Sequence, residues 1–128
     1  MQDKNNPLSP HLQIYKWQIS SLLSITHRIV GVINILVITI ICFLSLSLLF
    51  GAESYEMINN FFKSFIGKFI VISICWTFSF HILNELRHLL WDLGYGFDLK
   101  VARITGIIAL IGSFILTILF YLIGKNIF

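Results

Sequence analysis

The sequence predicts an all-α membrane protein: three transmembrane helices behind an N-terminal juxtamembrane segment. Three observations predict it. The 128-residue chain is 57% hydrophobic and only 12% charged, against about 25% charged in soluble domains. Its mean hydropathy is +0.88. Three apolar runs, separated by short polar stretches, are each long enough to cross a bilayer, for which about 20 residues suffice. So few charges leave no coat for a large water-soluble core. The net charge of +3 is small, and the basic residues sit at the ends of apolar runs, where they mark membrane orientation. Nucleic acid is not indicated as a partner.

Residues 1–21 form the juxtamembrane segment and residues 22–128 the transmembrane domain, with helices expected at about 22–50, 61–91 and 103–124. Asn6-Pro7-Leu8-Ser9-Pro10 reads as extended and turn-rich. Tyr15 and Trp17 suit a membrane interface, with Lys16 in the headgroup layer. The segment has no apolar core of a cleavable signal, and Asp3 counts against a transit peptide. That suits a bacterial inner-membrane protein or one encoded inside an organelle.

The first span has 22 uncharged residues, 29–50. Residues 51–60, holding Glu53 and Glu56, are expected as a short polar connection. The second span starts near Phe61, with Lys63 and Lys68 placed to snorkel. Trp91, Gly94, Tyr95 and Gly96 end it. Residues 97–102 are expected as a loop. The third span is uncharged over 104–123, and Gly106, Gly112, Ser113 and Thr117 allow close helix contact. Cys42 and Cys75 lie inside apolar runs without a CxxC spacing, as small buried hydrophobes do.

Six basic residues, Lys4, Lys16, Arg28, Arg87, Lys100 and Arg103, belong to the N-terminal side and the second loop. Three, Lys63, Lys68 and Lys125, belong to the other side. The positive-inside rule puts the N-terminus in the cytoplasm or matrix and the C-terminus outside.

Two polar stripes then begin at the same inner surface. His81, Glu85, His88 and Asp92 fall at i, i+4, i+7 and i+11, with Asn84 beside them. Helical periodicity points all five from one face. Ser24, His27, Arg28 and Gly31 fall at i, i+3, i+4 and i+7, and Asn34 continues inward. Ionisable groups at membrane depth are costly and persist where they face protein, cofactor or water. A membrane histidine ligates haem, relays protons or makes an interhelical hydrogen bond. His81 and His88 are two turns, roughly 10 Å, apart along the axis. A deep His81 with His27 and Arg28 at the boundary fits a b-type haem whose propionates face inward, since Arg suits carboxylates. A bis-His haem needs a second ligand, either His27 or a residue of a partner chain; the small three-helix chain favours a partner. Ser24 beside Arg28 pairs a hydroxyl donor with a fixed positive charge, apt for a quinone carbonyl, or makes an ordinary helix turn with a snorkelling arginine.

Two motifs carry a resemblance over essentially the whole chain. One is Pro7-Leu8-Ser9-Pro10-His11-Leu12-x-Ile14-Tyr15 followed by Ser24-x-x-His27-Arg28-x-x-Gly31. The other is His81 followed by Arg87-His88-Leu89-x-Trp91-Asp92-x-Gly94. The chain resembles the large cytochrome b membrane-anchor subunits of succinate dehydrogenase, respiratory complex II. The resemblance implies a bundle shared with a second, smaller anchor subunit, in the bacterial plasma membrane or the mitochondrial inner membrane. It implies haem b with His81 as an axial iron ligand, the other ligand coming from that second subunit. His27 and Arg28 match the propionate side, Ser24 and Arg28 match ubiquinone-site residues, and His88 is a further haem-side candidate. Electrons from succinate, oxidised on a flavoprotein, would pass through an iron–sulfur subunit to ubiquinone. No succinate chemistry would fall on this chain. Asp92 would face the iron–sulfur subunit or quinone-site water, or be an ordinary helix-end carboxylate.

The chain departs from the family pattern at Asn6, usually Arg, at Val30, usually Ser or Thr, and at Glu85, commonly Gly. Glu85 is placed to crowd the haem edge, to pair with Arg87 or His88, or to reach the partner. The rival readings are a quinol–fumarate reductase anchor, a haem-free structural anchor and a proton-relay subunit. The last is weakened by the uncharged third span.

Overall fold

The computed structural model describes residues 17–127. Four α-helices follow one another: α1 (Ile19–Ser47), α2 (Ala52–Lys63), α3 (Phe65–Asp92) and α4 (Leu99–Ile127). A 3-10 turn, Leu48–Phe50, follows α1. No strand occurs among the described residues. Three of the helices are long and apolar enough to cross a membrane: Ile19–Phe50, Phe65–Asp92 and Leu99–Lys125. At 1.5 Å per residue, the 29 residues of α1 span about 43 Å, beyond the hydrocarbon thickness of about 30 Å. Leucine, isoleucine and phenylalanine side chains cover the outer faces, as lipid contact requires. The protein is an all-α membrane protein with three spanning helices. Residues 1–16, including the expected Pro7 to Tyr15 motif and Lys16, lie outside the described residues.

The expected connection 51–60 is instead mostly helix α2. Its polarity suggested a loop, but Tyr55, Ile58 and Phe62 recur at i, i+3 and i+7, an amphipathic repeat. Gly51, at φ 112°, turns the chain into it. The second span accordingly starts at Phe65, not near Phe61. Ser64 breaks the helix with an extended backbone and caps α3, its Oγ accepting from Gly67 N–H at 3.1 Å.

The third span begins at Leu99, inside the expected loop 97–102. Asp98 explains it. Its Oδ1 accepts from Lys100 N–H at 3.1 Å, and its carbonyl accepts from Ala102 N–H at 2.8 Å. Between α3 and α4, Gly94 (φ 87°) and Gly96 (φ 83°) take left-handed backbone. Gly94 N–H closes back on Trp91 O at 2.8 Å.

The interior is narrow. Leu23, Val30 and Phe80 form its buried apolar cluster, with Trp76 packed against it. Trp76 stacks on Phe80 at 5.4 Å and reaches Phe114 at 5.8 Å. The small residues expected on the third span are found inside: Gly106, Ser113 and Thr117 are buried on α4. Their hydroxyls are satisfied within the helix, Ser113 Oγ donating to Leu110 O and Thr117 Oγ1 to Ser113 O. Close approach needs no polar partner across the seam.

Candidate functional site

The N-terminal half of α1 crosses the C-terminal half of α3, and there the two polar stripes meet. His27 and His81 stack face to face, ring centroids 4.5 Å apart and planes 18° from parallel. His88 lies 5.3 Å from His27 on its other neighbour contact and meets Trp91 edge-on at 5.0 Å. Glu85 Oε1 sits 3.2 Å from His27 Nε2 and 3.7 Å from His81 Nε2. The donor atoms of His27, His81 and Glu85 lie within 4.8 Å of one another. Of the three partners open to Glu85 in sequence, Arg87 and His88 are not taken; it turns to the histidine pair across the helix seam.

Two of the imidazoles are uncommitted: His27 Nε2 is buried without a hydrogen-bond partner, and so is Nδ1 of His81. Its Nε2 stands beyond hydrogen-bond reach of Glu85. Gly31 faces the ring: a Cβ there would lie 3.3 Å from His81 Cε1. A glycine on α1 thus leaves the imidazole room that any side chain would take. An unpartnered imidazole packed on a glycine fits a haem-iron ligand. His27 fits a second axial position poorly. Imidazole lone pairs lie in the ring plane, so face-to-face rings present their nitrogens side by side, not toward one central iron.

The five residues of the second stripe do not share one face. His81, Glu85 and His88 turn toward α1. Asn84, 1% exposed, turns inward with Arg87, 6% exposed. The Arg87 guanidinium donates to Ala102 O at 2.8 Å, to Thr105 Oγ1 at 3.2 Å and to Asn84 Oδ1 at 3.5 Å. It also lies 4.4 Å over the Trp91 ring. Arg87 reads in sequence as a boundary cation; it is a buried clamp between α3 and α4, with the planar fork that arginine brings to several acceptors. Asp92 is exposed at the end of α3.

A cleft of about 280 Å³ opens beside the histidines, lined by Ser20, Ser21, Ser24, Asn84, Arg87, His88 and Trp91. Ser24 thus lines a cleft into which several polar side chains also reach. Arg28, expected beside it, is exposed and outside that lining. Ser20, Ser21 and Trp91 complete the cleft although sequence reading assigned them no site role. The signal for the serines was present: Ser20 precedes Ser24 by one turn. His88 touches both places, lining the cleft and contacting His27.

The chain matches known proteins over nearly its full length. Residues 2–120 match the family described as succinate dehydrogenase/fumarate reductase transmembrane subunit. The chain is 40% identical over 120 residues to the succinate dehydrogenase cytochrome b556 subunit of Rickettsia prowazekii, covering 90% of each. It is 36% identical over 124 residues to the cytochrome b560 subunit of Reclinomonas americana, covering 93% of this chain and 86% of that one. The b556 subunit of Paracoccus denitrificans is 30% identical over 115 residues, 90% of this chain and 88% of its own. With three spanning helices and paired histidine stripes beneath those matches, this chain belongs to the succinate dehydrogenase/fumarate reductase transmembrane subunit family.

Proposed function

We propose that this chain is the large membrane-anchor subunit of a succinate:ubiquinone oxidoreductase, holding haem b on His81 and forming part of the ubiquinone-reduction site. The observation that carries this reading is the uncommitted His81 imidazole opposite Gly31. When bound, the haem supplies a one-electron carrier near the quinone. His27 packs on the His81 ring, and His27 with Arg28 would hold the haem's carboxylates. A second ligand would come from the second, smaller anchor subunit.

Ser24 donates a hydrogen bond to a quinone carbonyl in the cleft. Arg28 stabilises the negative charge developing on that oxygen from the exposed side, where the partner subunits complete the pocket. His88 joins this cleft to the histidine pair. Electrons enter from the flavoprotein through the iron–sulfur subunit, which docks at the inner surface beside Asp92. The N-terminus lies on the cytoplasmic or matrix side of the plasma membrane or mitochondrial inner membrane, embedded in lipid. The named relatives are succinate dehydrogenase subunits, which favours succinate oxidation over a quinol–fumarate reductase anchor.

The test is the whole complex carrying His81→Ala beside the natural chain, read by reduced-minus-oxidised optical spectra of the membranes. Loss of the b-type band in the variant alone supports the reading. An unchanged band assigns the haem elsewhere. Absence of the band from both leaves a haem-free anchor.

A further inference from the structure

Among the described residues, Glu85 is the only carboxylate within ion-pair distance of a histidine, and it reaches two of them. It sits on a spanning helix, where an acidic side chain near the bilayer centre costs about 2.5–3.5 kcal/mol by insertion measurements. Its side chain is 57% exposed, so burial in this chain does not force it toward α1. What it gains there is two imidazoles from two helices. One carboxylate oxygen, Oε1, serves both contacts, 3.2 Å to His27 Nε2 and 3.7 Å to His81 Nε2. One carboxylate thus stands beside two near-parallel rings, hydrogen-bonded to neither of the facing nitrogens.

The same placement has an electrostatic effect. A carboxylate this near a histidine nitrogen is near any iron which that histidine ligates. Reducing the iron from ferric to ferrous adds one electron and removes one positive charge. A fixed negative charge beside it favours the ferric form.

We infer that Glu85 tunes the haem: its carboxylate, set beside the His27–His81 pair, holds the haem's reduction potential down. This rests on the reading that His81 ligates the haem. The charge lies within a few ångströms of the histidine nitrogen at the edge of a protein interior. A removal effect of about tenfold in the ferric-to-ferrous ratio at fixed potential is expected, about 59 mV for a one-electron couple.

The experiment is a potentiometric titration of the b-type band in the purified complex. Ferric electron paramagnetic resonance spectra are recorded on the same samples. Glu85→Gln keeps the shape and removes the charge: the midpoint rises by the stated amount while the resonance positions stay put. Glu85→Gly removes both, and the midpoint rises as far. Glu85→Asp keeps the charge on a shorter arm: the midpoint stays within about 20 mV of the natural value, roughly twofold. This third variant keeps the inference open to test if Glu85→Gln fails to assemble. Equal midpoints in the natural, Gln and Gly complexes overturn the role of Glu85 and leave the haem assignment standing. A natural complex without a b-type band overturns both.

Discussion

The imidazoles of His27 on α1 and His81 on α3 stack 4.5 Å apart, 18° from parallel. Each ring therefore presents a face to the other and its nitrogens to the side. That geometry separates two roles that the residue names leave merged. In His27→Phe the stack survives, and the low-spin b-type spectrum is expected to survive with it. In His81→Phe the packing survives and the band is lost. Optical and electron paramagnetic resonance spectra of the two complexes check this; loss of the band in His27→Phe would make His27 a ligand.

The quinone cleft is separable from the haem. Ser24 lines it, and one hydrogen bond is at stake, about 1 kcal/mol. Ser24→Ala is expected to raise KM for ubiquinone about fivefold and leave succinate oxidation by a soluble dye acceptor unchanged. Arg28→Leu, which removes a full charge, is expected to lower kcat with quinone at least tenfold. Steady-state assays with the two acceptors distinguish this from loss of assembly, which would lower both.

Arg87 has acceptors on two helices and an aromatic ring beneath it. Arg87→Ala is expected to lower the stability of the complex in detergent by about 2–4 kcal/mol, since buried Asn84 and the α4 backbone lose their donor. Arg87→Lys restores the charge but not the fork, and is expected to recover less than half. Thermal inactivation midpoints at equal detergent concentration measure both.

Gly67 packs α3 against the end of α2. A Cβ there would run into the backbone oxygen of Phe61, an atom that cannot swing away. Gly67→Ala is expected to cost about 1–3 kcal/mol, as overpacking does. Gly124, with nothing near its missing Cβ, is the control, and Gly124→Ala is expected to be neutral. Thermal midpoints of the two variants make the comparison.

The sequence carried the spans and the meeting of the stripes, because a 3.6-residue period in an apolar background has one physical solution. His27, His81 and His88 were placed together by that logic. Asn84 was misassigned for an instructive reason. At 100° per residue it borders the His81–His88 stripe, and only the position of α4 decides that it turns inward to Arg87. Arg87 likewise counted as a surface cation, since a boundary arginine and a clamp arginine have the same local sequence. Glu85 had the haem edge, Arg87, His88 or the partner chain open to it in sequence, and the choice of His27 lies in the packing of α1. Helix α2 was hidden by its polarity, although its apolar repeat was there to be counted. Asp98 is a capping signal in the sequence, one residue before α4.

The Arg87 clamp bears on how the protein enters the membrane. An arginine left to lipid is a burden that reaches about 2.5 kcal/mol at the centre of a span and falls toward its ends. Its acceptors at Ala102 and Thr105 belong to the first turns of the following helix. The translocating chain thus gains most if the second and third spans leave the insertion machinery as a closed hairpin, six residues of turn between them. The first span, bound to that hairpin chiefly through its histidine end, joins as a separate event. The haem-side seam between them would then be the last part of the chain to close.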